Sequence, residues 1–173
     1  MTTILEVKTA MQELVENFFG FPVIFARQNA ARPPKPYATI DFTPSIRLGL
    51  ADEVRQSGTD GEVEYVGQRT IMMEVNIFAA NSMDNAQDLQ LALNSHAIHE
   101  PLSSVHNISI LSEGNVLDID ALLDDQYEER ALLEVKLGYR ATLESNNGLI
   151  EKVEIINNLD EPPTTTIVEL AGP

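Results

Sequence analysis

The stretch Gly67-Gln68-Arg69-Thr70-Ile71-Met72-Met73-Glu74-Val75-Asn76-Ile77-Phe78-Ala79 decides the fold. Successive side chains of a strand point to opposite faces. Ile71, Met73, Val75 and Ile77 therefore share one face, and Met72, Glu74, Asn76 and Phe78 the other. One face is wholly apolar and the other mixed, the pattern of a long strand with one side on a core. Upstream, Tyr37-Ala38-Thr39-Ile40-Asp41-Phe42-Thr43 alternates in the same way. Val23-Ile24-Phe25-Ala26 is a short run of β-branched and aromatic residues, and both segments read as strands. Downstream, Ile108-Ser109-Ile110-Leu111 is a further strand. Tyr127 to Glu144 reads as another long one, with Leu133, Val135, Leu137, Tyr139 and Ala141 on its apolar face. Asn146-Asn147-Gly148 is a turn signal, and Leu149 to Ile156 completes a C-terminal hairpin.

Two helices accompany the strands. Thr3 and Glu6 form a capping box, each able to satisfy a backbone donor of the first turn. Ile4, Val7, Met11, Leu14, Val15 and Phe18 follow at helical spacing. Gly20 suits the position past the helix end, and Pro22 blocks continuation. The second helix starts at Asn81 or Ser82 and runs to about His96 or Ala97, with Ala86, Leu89, Leu93 and Ala97 on one face. Pro101 ends it or opens a further short turn. The class is α+β, a mainly antiparallel sheet with two principal helices packed on it.

Between the strands, residues 44–68 form a polar excursion centred on Ser57-Gly58-Thr59-Asp60-Gly61, a turn signal flanked by weak strand patterns. Structureless loops of this length are uncommon in compact domains, so it reads as a projecting hairpin or arm. The expected organisation is one domain over residues 1–156 and an extended tail over 157–173, rich in Pro and Thr.

The 173 residues include 27 acidic and 11 basic ones, a net charge of −16. A hydrophobic fraction of 43% keeps the chain in the globular class despite that charge. The imbalance argues against a nucleic-acid reader, which needs a basic footprint, and against a binder of anionic membranes. It is also localised. Residues 1–69 carry 7 basic and 9 acidic side chains, whereas residues 70–129 carry 11 acids and no Lys or Arg. Cysteine is absent, which excludes disulfides, thiolate ligands and a cysteine nucleophile. No run reaches the ~18 apolar residues of a membrane span, and the N-terminus shows no secretory pattern. A soluble, cytoplasmically made protein is expected.

Candidate chemistry is sparse. His96 and His99 stand three apart, and with His106, Glu100 or Asp118 they raise a metal site. Zinc needs a third or fourth ligand that the spacing does not supply, and histidines near a helix end are favoured by its dipole alone. Asp118, Asp120, Asp124 and Asp125 suggest calcium, but Ala121-Leu122-Leu123 interrupts any alternation of oxygen ligands. No phosphate-binding glycine loop or serine-nucleophile elbow occurs. The residues therefore point to a binding or structural protein with no catalytic, metal or cofactor site.

Several features taken in order carry a resemblance. They are Arg27-Gln28-Asn29, the proline-rich connector into Pro36-Tyr37-Ala38-Thr39-Ile40, the polar excursion, and the strand Thr70 to Phe78. After these come the helix with Ala86, Leu89 and Leu93, the opening Tyr127-Glu128-Glu129-Arg130-Ala131, and Gly148 to Glu154. Over Leu5 to Ile156 the chain resembles the neck-terminator and tail-terminator (tail-completion) proteins of tailed bacteriophages. Tyr37, Glu128 and Arg130 are the strongest motif positions. One departure is Glu128-Glu129, where many relatives carry an aromatic residue or proline beside the Arg-Ala pair.

The resemblance implies a virion structural protein at the tail–neck junction, assembled in the host cytoplasm. It implies a homo-oligomeric ring, usually six-fold, that caps the tail tube, ends tail polymerisation and meets the head-side connector, with DNA passing unbound through its lumen. On that basis Asp52, Arg55, Gly58, Asp60, Gly61 and Glu64 are expected on a tube- or neighbour-contacting arm. Asp118, Asp120, Asp124 and Asp125 are expected to line the lumen, where carboxylates repel phosphates. The rivals are a head–tail adaptor at the portal and, from another class, a small metal-dependent hydrolase built on His96 and His99.

Overall fold

A computed structural model describes residues 3–29, 31–43, 46–49, 52–56, 62–123, 126–146, 152–157 and 164–169. In chain order the elements are α1 (Ile4–Phe19), β1 (Val23–Phe25), β2 (Tyr37–Phe42), β3 (Ile46–Arg47), β4 (Glu53–Gln56) and β5 (Glu62–Phe78). They continue with α2 (Ser82–Leu93), α3 (His96–His106), β6 (Ile108–Glu113), β7 (Leu117–Asp118), β8 (Ala121–Leu123), β9 (Gln126–Glu128), β10 (Ala131–Asn146), β11 (Lys152–Asn157) and β12 (Thr164–Glu169). The class is α+β, with three helices among the described residues and a mostly antiparallel sheet.

The chain divides into two compact units. The first comprises Met1–Asp52 with Gly67–Thr142, and the second Glu53–Val66 with Leu143–Pro173. The main sheet runs in the order β1-β2-β5-β10-β6, with β3 and β4 also pairing β5 and β7 pairing β10. β2 and β5 are antiparallel, with Tyr37 opposite Phe78 and Ile40 opposite Val75, whereas β1 lies parallel to β2.

In the first unit the apolar face of β5 behaves as the alternation requires. Ile71, Met73, Val75 and Ile77 are buried together with Ala38, Ile40, Leu133, Val135 and Leu137. Val7, Met11 and Val15 of α1, Ala86, Leu89 and Leu93 of α2, and Leu102 of α3 belong to the same cluster. Each fully buried aliphatic side chain contributes about 1.5–3 kcal/mol relative to exposure, so this one-sided core is what holds the helices on the sheet. The capping box of α1 is formed, with Thr3 accepting from the Glu6 N–H (3.2 Å) and Glu6 accepting from the Thr3 N–H (2.7 Å). Gly20 takes the left-handed conformation (φ 70°) that ends the helix.

Three elements depart from the sequence reading. The helix expected to reach His96 or Ala97 stops at Leu93, and α3 starts at His96 with Pro101 inside it. The Asn94 side chain bonds the Gln90 carbonyl and Glu113, which fixes the stop, and extended Ser95 restarts the chain. The long strand expected from Tyr127 is cut at Glu129-Arg130. There the Arg130 N–H turns to Asp120 (2.7 Å) and the Arg130 carbonyl accepts from Ile119 (2.9 Å). Among the described residues β9 therefore pairs only with β8, in a separate two-stranded sheet. The last hairpin is also different: β11 pairs β12, not β10, so the segment expected as an extended tail contains a strand.

Among the described residues the elements of the second unit are strands. β4 pairs β5 with Arg55 opposite Glu64 and Val54 opposite Tyr65. Val66 is its one buried hydrophobic side chain among the described residues.

Candidate functional site

The site grows out of the connector between β1 and β2. Arg32-Pro33-Pro34-Lys35-Pro36 is stiff, because each proline fixes its φ, and it carries two cations past the start of β2. Both meet Glu128 at the end of β9. Arg32 Nη2 lies 3.0 Å from Glu128 Oε2, and Lys35 Nζ lies 2.8 Å from Oε1. Glu128 is 7% exposed, so this carboxylate is removed from water and depends on those partners. The Lys35 ammonium and then the Arg32 guanidinium hold its carboxyl below the usual glutamate range. Arg32 titrates above the ordinary arginine value. Partial burial works against its charge, but bonds to the Tyr37 hydroxyl and Glu128 outweigh that.

Aromatic rings form the floor. Tyr37 and Phe78 are cross-strand partners and stack at 4.7 Å with a 10° interplanar angle. The Arg32 guanidinium lies 4.7 Å from the Phe78 ring centre and that of Arg130 lies 4.8 Å from it, both as cation–π contacts. Arg130 Nη2 also donates to Asn76 Oδ1 (2.8 Å). Glu129 accepts the Asn81 N–H (2.6 Å) just ahead of α2. Three consecutive residues thus fasten three elements: Glu128 the connector, Glu129 the start of α2, and Arg130 the mixed face of β5. The arrangement is a clasp.

The clasp also fixes the foot of the β8–β9 hairpin. Asp118 accepts the Asp120 N–H (3.1 Å), and Asp120 accepts that of Arg130. These two expected lumen acids thus cap turns, while Asp124 and Asp125 lie outside the described residues. Above the foot, Leu122 and Tyr127 are cross-strand partners, 59% and 75% exposed.

A second ion pair sits where β5 enters the first unit. Arg69 grips Asp52 with both guanidinium nitrogens, at 2.8 and 2.9 Å, and Arg47 stands 3.5 Å away. The bonds from Arg69 hold the Asp52 carboxyl below the usual aspartate range. Gly67 makes the room, since a Cβ there would lie 2.6 Å from Asp52 Oδ1 and inside contact distance of the Arg69 guanidinium. Of the expected arm residues, Asp52 is thus tied at the base. Arg55 pairs with Glu53 (2.7 Å) and stands across the ladder from Glu64. Gly58, Asp60 and Gly61 lie outside the described residues.

His96, His99 and Glu100 border one shallow cavity with Ser103 and Ser104, and Asp118 is not part of its lining. Among the described residues no three His, Asp or Glu side chains are grouped so as to hold a metal ion.

The motif positions Tyr37, Glu128 and Arg130 converge in the clasp, although the sequence reading did not foresee that they meet. It also missed Arg32, Lys35, Phe78 and Asn76 as their partners. The available signal was a pair of cations spaced by prolines beside a motif tyrosine, facing a glutamate that precedes a strand. Comparison with protein families supplies the context, because the model of phage neck terminator proteins matches residues 5–169. The chain belongs to the phage neck terminator family.

No curated protein matches the chain. The family match extends past Ile156 through β12, so the threonine-rich segment, expected to fall outside the resemblance, lies within it. The family is a structural one, which assigns this neck terminator to the virion neck. Among the described residues no helix is long and apolar enough to cross a membrane.

Proposed function

We propose that this neck terminator forms a ring, six-fold by the family resemblance, on the finished tail tube. The ring stops further polymerisation, meets the head-side connector and lets DNA pass through its lumen without specific binding. The observation that carries this reading is the family match across residues 5–169. The concentration of 11 acids and no Lys or Arg in residues 70–129 supports the lumen assignment, since carboxylates facing the channel would repel passing phosphates. The arm of residues 44–68 supplies tube or neighbour contacts.

Electron microscopy of the purified protein, alone and added to polymerising tail tubes, tests the proposal. Six-fold rings and tubes that stop growing support it. Twelve-fold rings would instead mark a portal adaptor, and tubes of unchanged length would remove the capping role. Replacing residues 54–63 by a tight turn, which keeps Asp52 and Arg69, should leave the first unit folded and abolish capping. Unchanged capping by that variant would remove the arm from the contact.

A further inference from the structure

The strand path of the main sheet ends at β1 on one side and β6 on the other, and these two ends are not equally closed. In the parallel β1–β2 ladder the Ala38 N–H donates to the Pro22 carbonyl (3.0 Å), which turns the main-chain groups of Val23 away from β2. Gln12 of α1 covers that side by donating to the Val23 carbonyl (2.6 Å). β6 is different. The Arg140 N–H donates to the Asn107 carbonyl (3.4 Å), and alternation along an antiparallel ladder then points the main-chain groups of Ile108 and Ile110 away from β10. Among the described residues no hydrogen bond from another segment reaches either. The edge contains no Lys, Arg or Pro, and its open part is residues 108–110, because a bulge at Leu111 and the bond from Asn94 to Glu113 close the far end.

β12 is a second unguarded edge. Among the described residues its sheet has two strands, β11 and β12, and such a hairpin is marginal in water without a third. Thr164–Glu169 has no Lys, Arg, Pro or Gly, whereas β11 opens on Lys152. β6 and β12 are each six residues long.

We propose that β12 of one copy adds to the β6 edge of a second copy, extending the sheet from subunit to subunit. The occupant follows from the edges: β12 has the same length as β6 and, like it, carries no Lys, Arg or Pro. Chains of net charge −16 repel one another at long range, and a main-chain ladder needs no opposite charges. Because the two edges are different segments, the contact is head-to-tail and can close into a ring. Only that closure rests on the ring reading above.

The chain has no cysteine, so thiols exist only where they are introduced. Full-length Ser109→Cys and Thr166→Cys proteins, mixed and treated with a short bifunctional thiol reagent, test the contact. A parallel mixture of Ser112→Cys and Thr164→Cys guards against one poorly folding variant or a shifted register. The expected product is a mixed dimer of one chain of each variant. It should form about 1,000-fold faster than between unassociated thiols at micromolar concentration, because a held pair sits at an effective concentration near millimolar. Oligomers in sedimentation without this product in either mixture would overturn the contact and leave the ring standing. A bridge formed only within a single chain carrying both cysteines would overturn it in favour of an internal pairing. Monomers at every concentration would overturn both the contact and the ring.

Discussion

Lys35 Nζ and Glu128 Oε1 stand 2.8 Å apart and join the connector ahead of β2 to the end of β9. Arg32 takes the other carboxylate oxygen, so one buried anion holds a chain segment at two points. Removing the anion leaves two cations facing each other beside an aromatic floor. Hydrogen bonds to charged groups contribute about 1.5–3 kcal/mol each, and the half-exposed cations recover part of that from water. Glu128→Gln should therefore cost about 1–3 kcal/mol in denaturant unfolding. Lys35→Met should lower stability less, and the double variant should fall short of the sum because the two residues share one interaction.

The same carboxylate sets an acid dependence. Glu128 and Asp52 both have folded pKa values below their ordinary ones, because the bonds from Lys35 and Arg69 favour the charged form. The unfolded chain then binds more protons than the folded one as pH drops. The contribution is fully present above the unfolded carboxylate range of about 4 and is lost as pH falls through the lowered folded values. Thermal melts from pH 7 to pH 3 should show a flat plateau and then a decline. The decline should be shallower in Glu128→Gln than in the parent, and equal slopes would detach Glu128 from it.

How far the sequence could be read depended on how local each cause was. The capping box of Thr3 and Glu6, the stop at Gly20 and the apolar face Ile71 to Ile77 are written within a few residues, and each forms as expected. The break between α2 and α3 was also local in part, because Asn94-Ser95 is a stop followed by a start, but continuing apolar spacing masked it. The cut between β9 and β10 was not local. It depends on Asp120 receiving the Arg130 N–H and on Glu129 reaching Asn81, 48 positions away. The clasp was legible only as three motif positions. That Tyr37, Glu128 and Arg130 meet through Arg32 and Phe78 follows from the register of β2 on β5, which alternation alone leaves open.

Gly67 is small because Asp52 and Arg69 close over it. Alanine there would push against Asp52 Oδ1 and the Arg69 guanidinium, both of them free ends of side chains that can swing aside. Gly67→Ala should therefore part the pair without disturbing β5, with a small loss of stability. The check is a comparison with Asp52→Asn. If the glycine matters only through the pair, the double variant should be no less stable than the worse single one. Additive losses would mean that alanine strains the strand itself.

The exposed Leu122–Tyr127 pair should matter little to the isolated subunit. Cross-strand pairs contribute roughly 0.2–1 kcal/mol, and both side chains are more than half exposed. Tyr127→Ser should thus change the unfolding free energy by under about 1 kcal/mol, whereas Glu128→Gln, one residue further on, costs more. A larger loss in Tyr127→Ser would show that the ring is packed and not presented to solvent.

Salt gives the last prediction, and its sign is unusual for an assembly. A net charge of −16 makes each subunit repel the next at long range. The Debye length falls from about 30 Å at 0.01 M salt to about 10 Å at 0.1 M, so added salt removes most of that repulsion. Surface ion pairs such as Arg55–Glu53 are screened over the same range, but they lie within one chain and contribute little to association. Main-chain strand pairing is insensitive to ionic strength. Sedimentation at fixed protein concentration should therefore show the oligomeric fraction rising as salt increases from 0.01 to about 0.15 M. Dissociation by salt would mean that opposite charges hold the subunits together, and it would count against a contact built from the β6 and β12 edges.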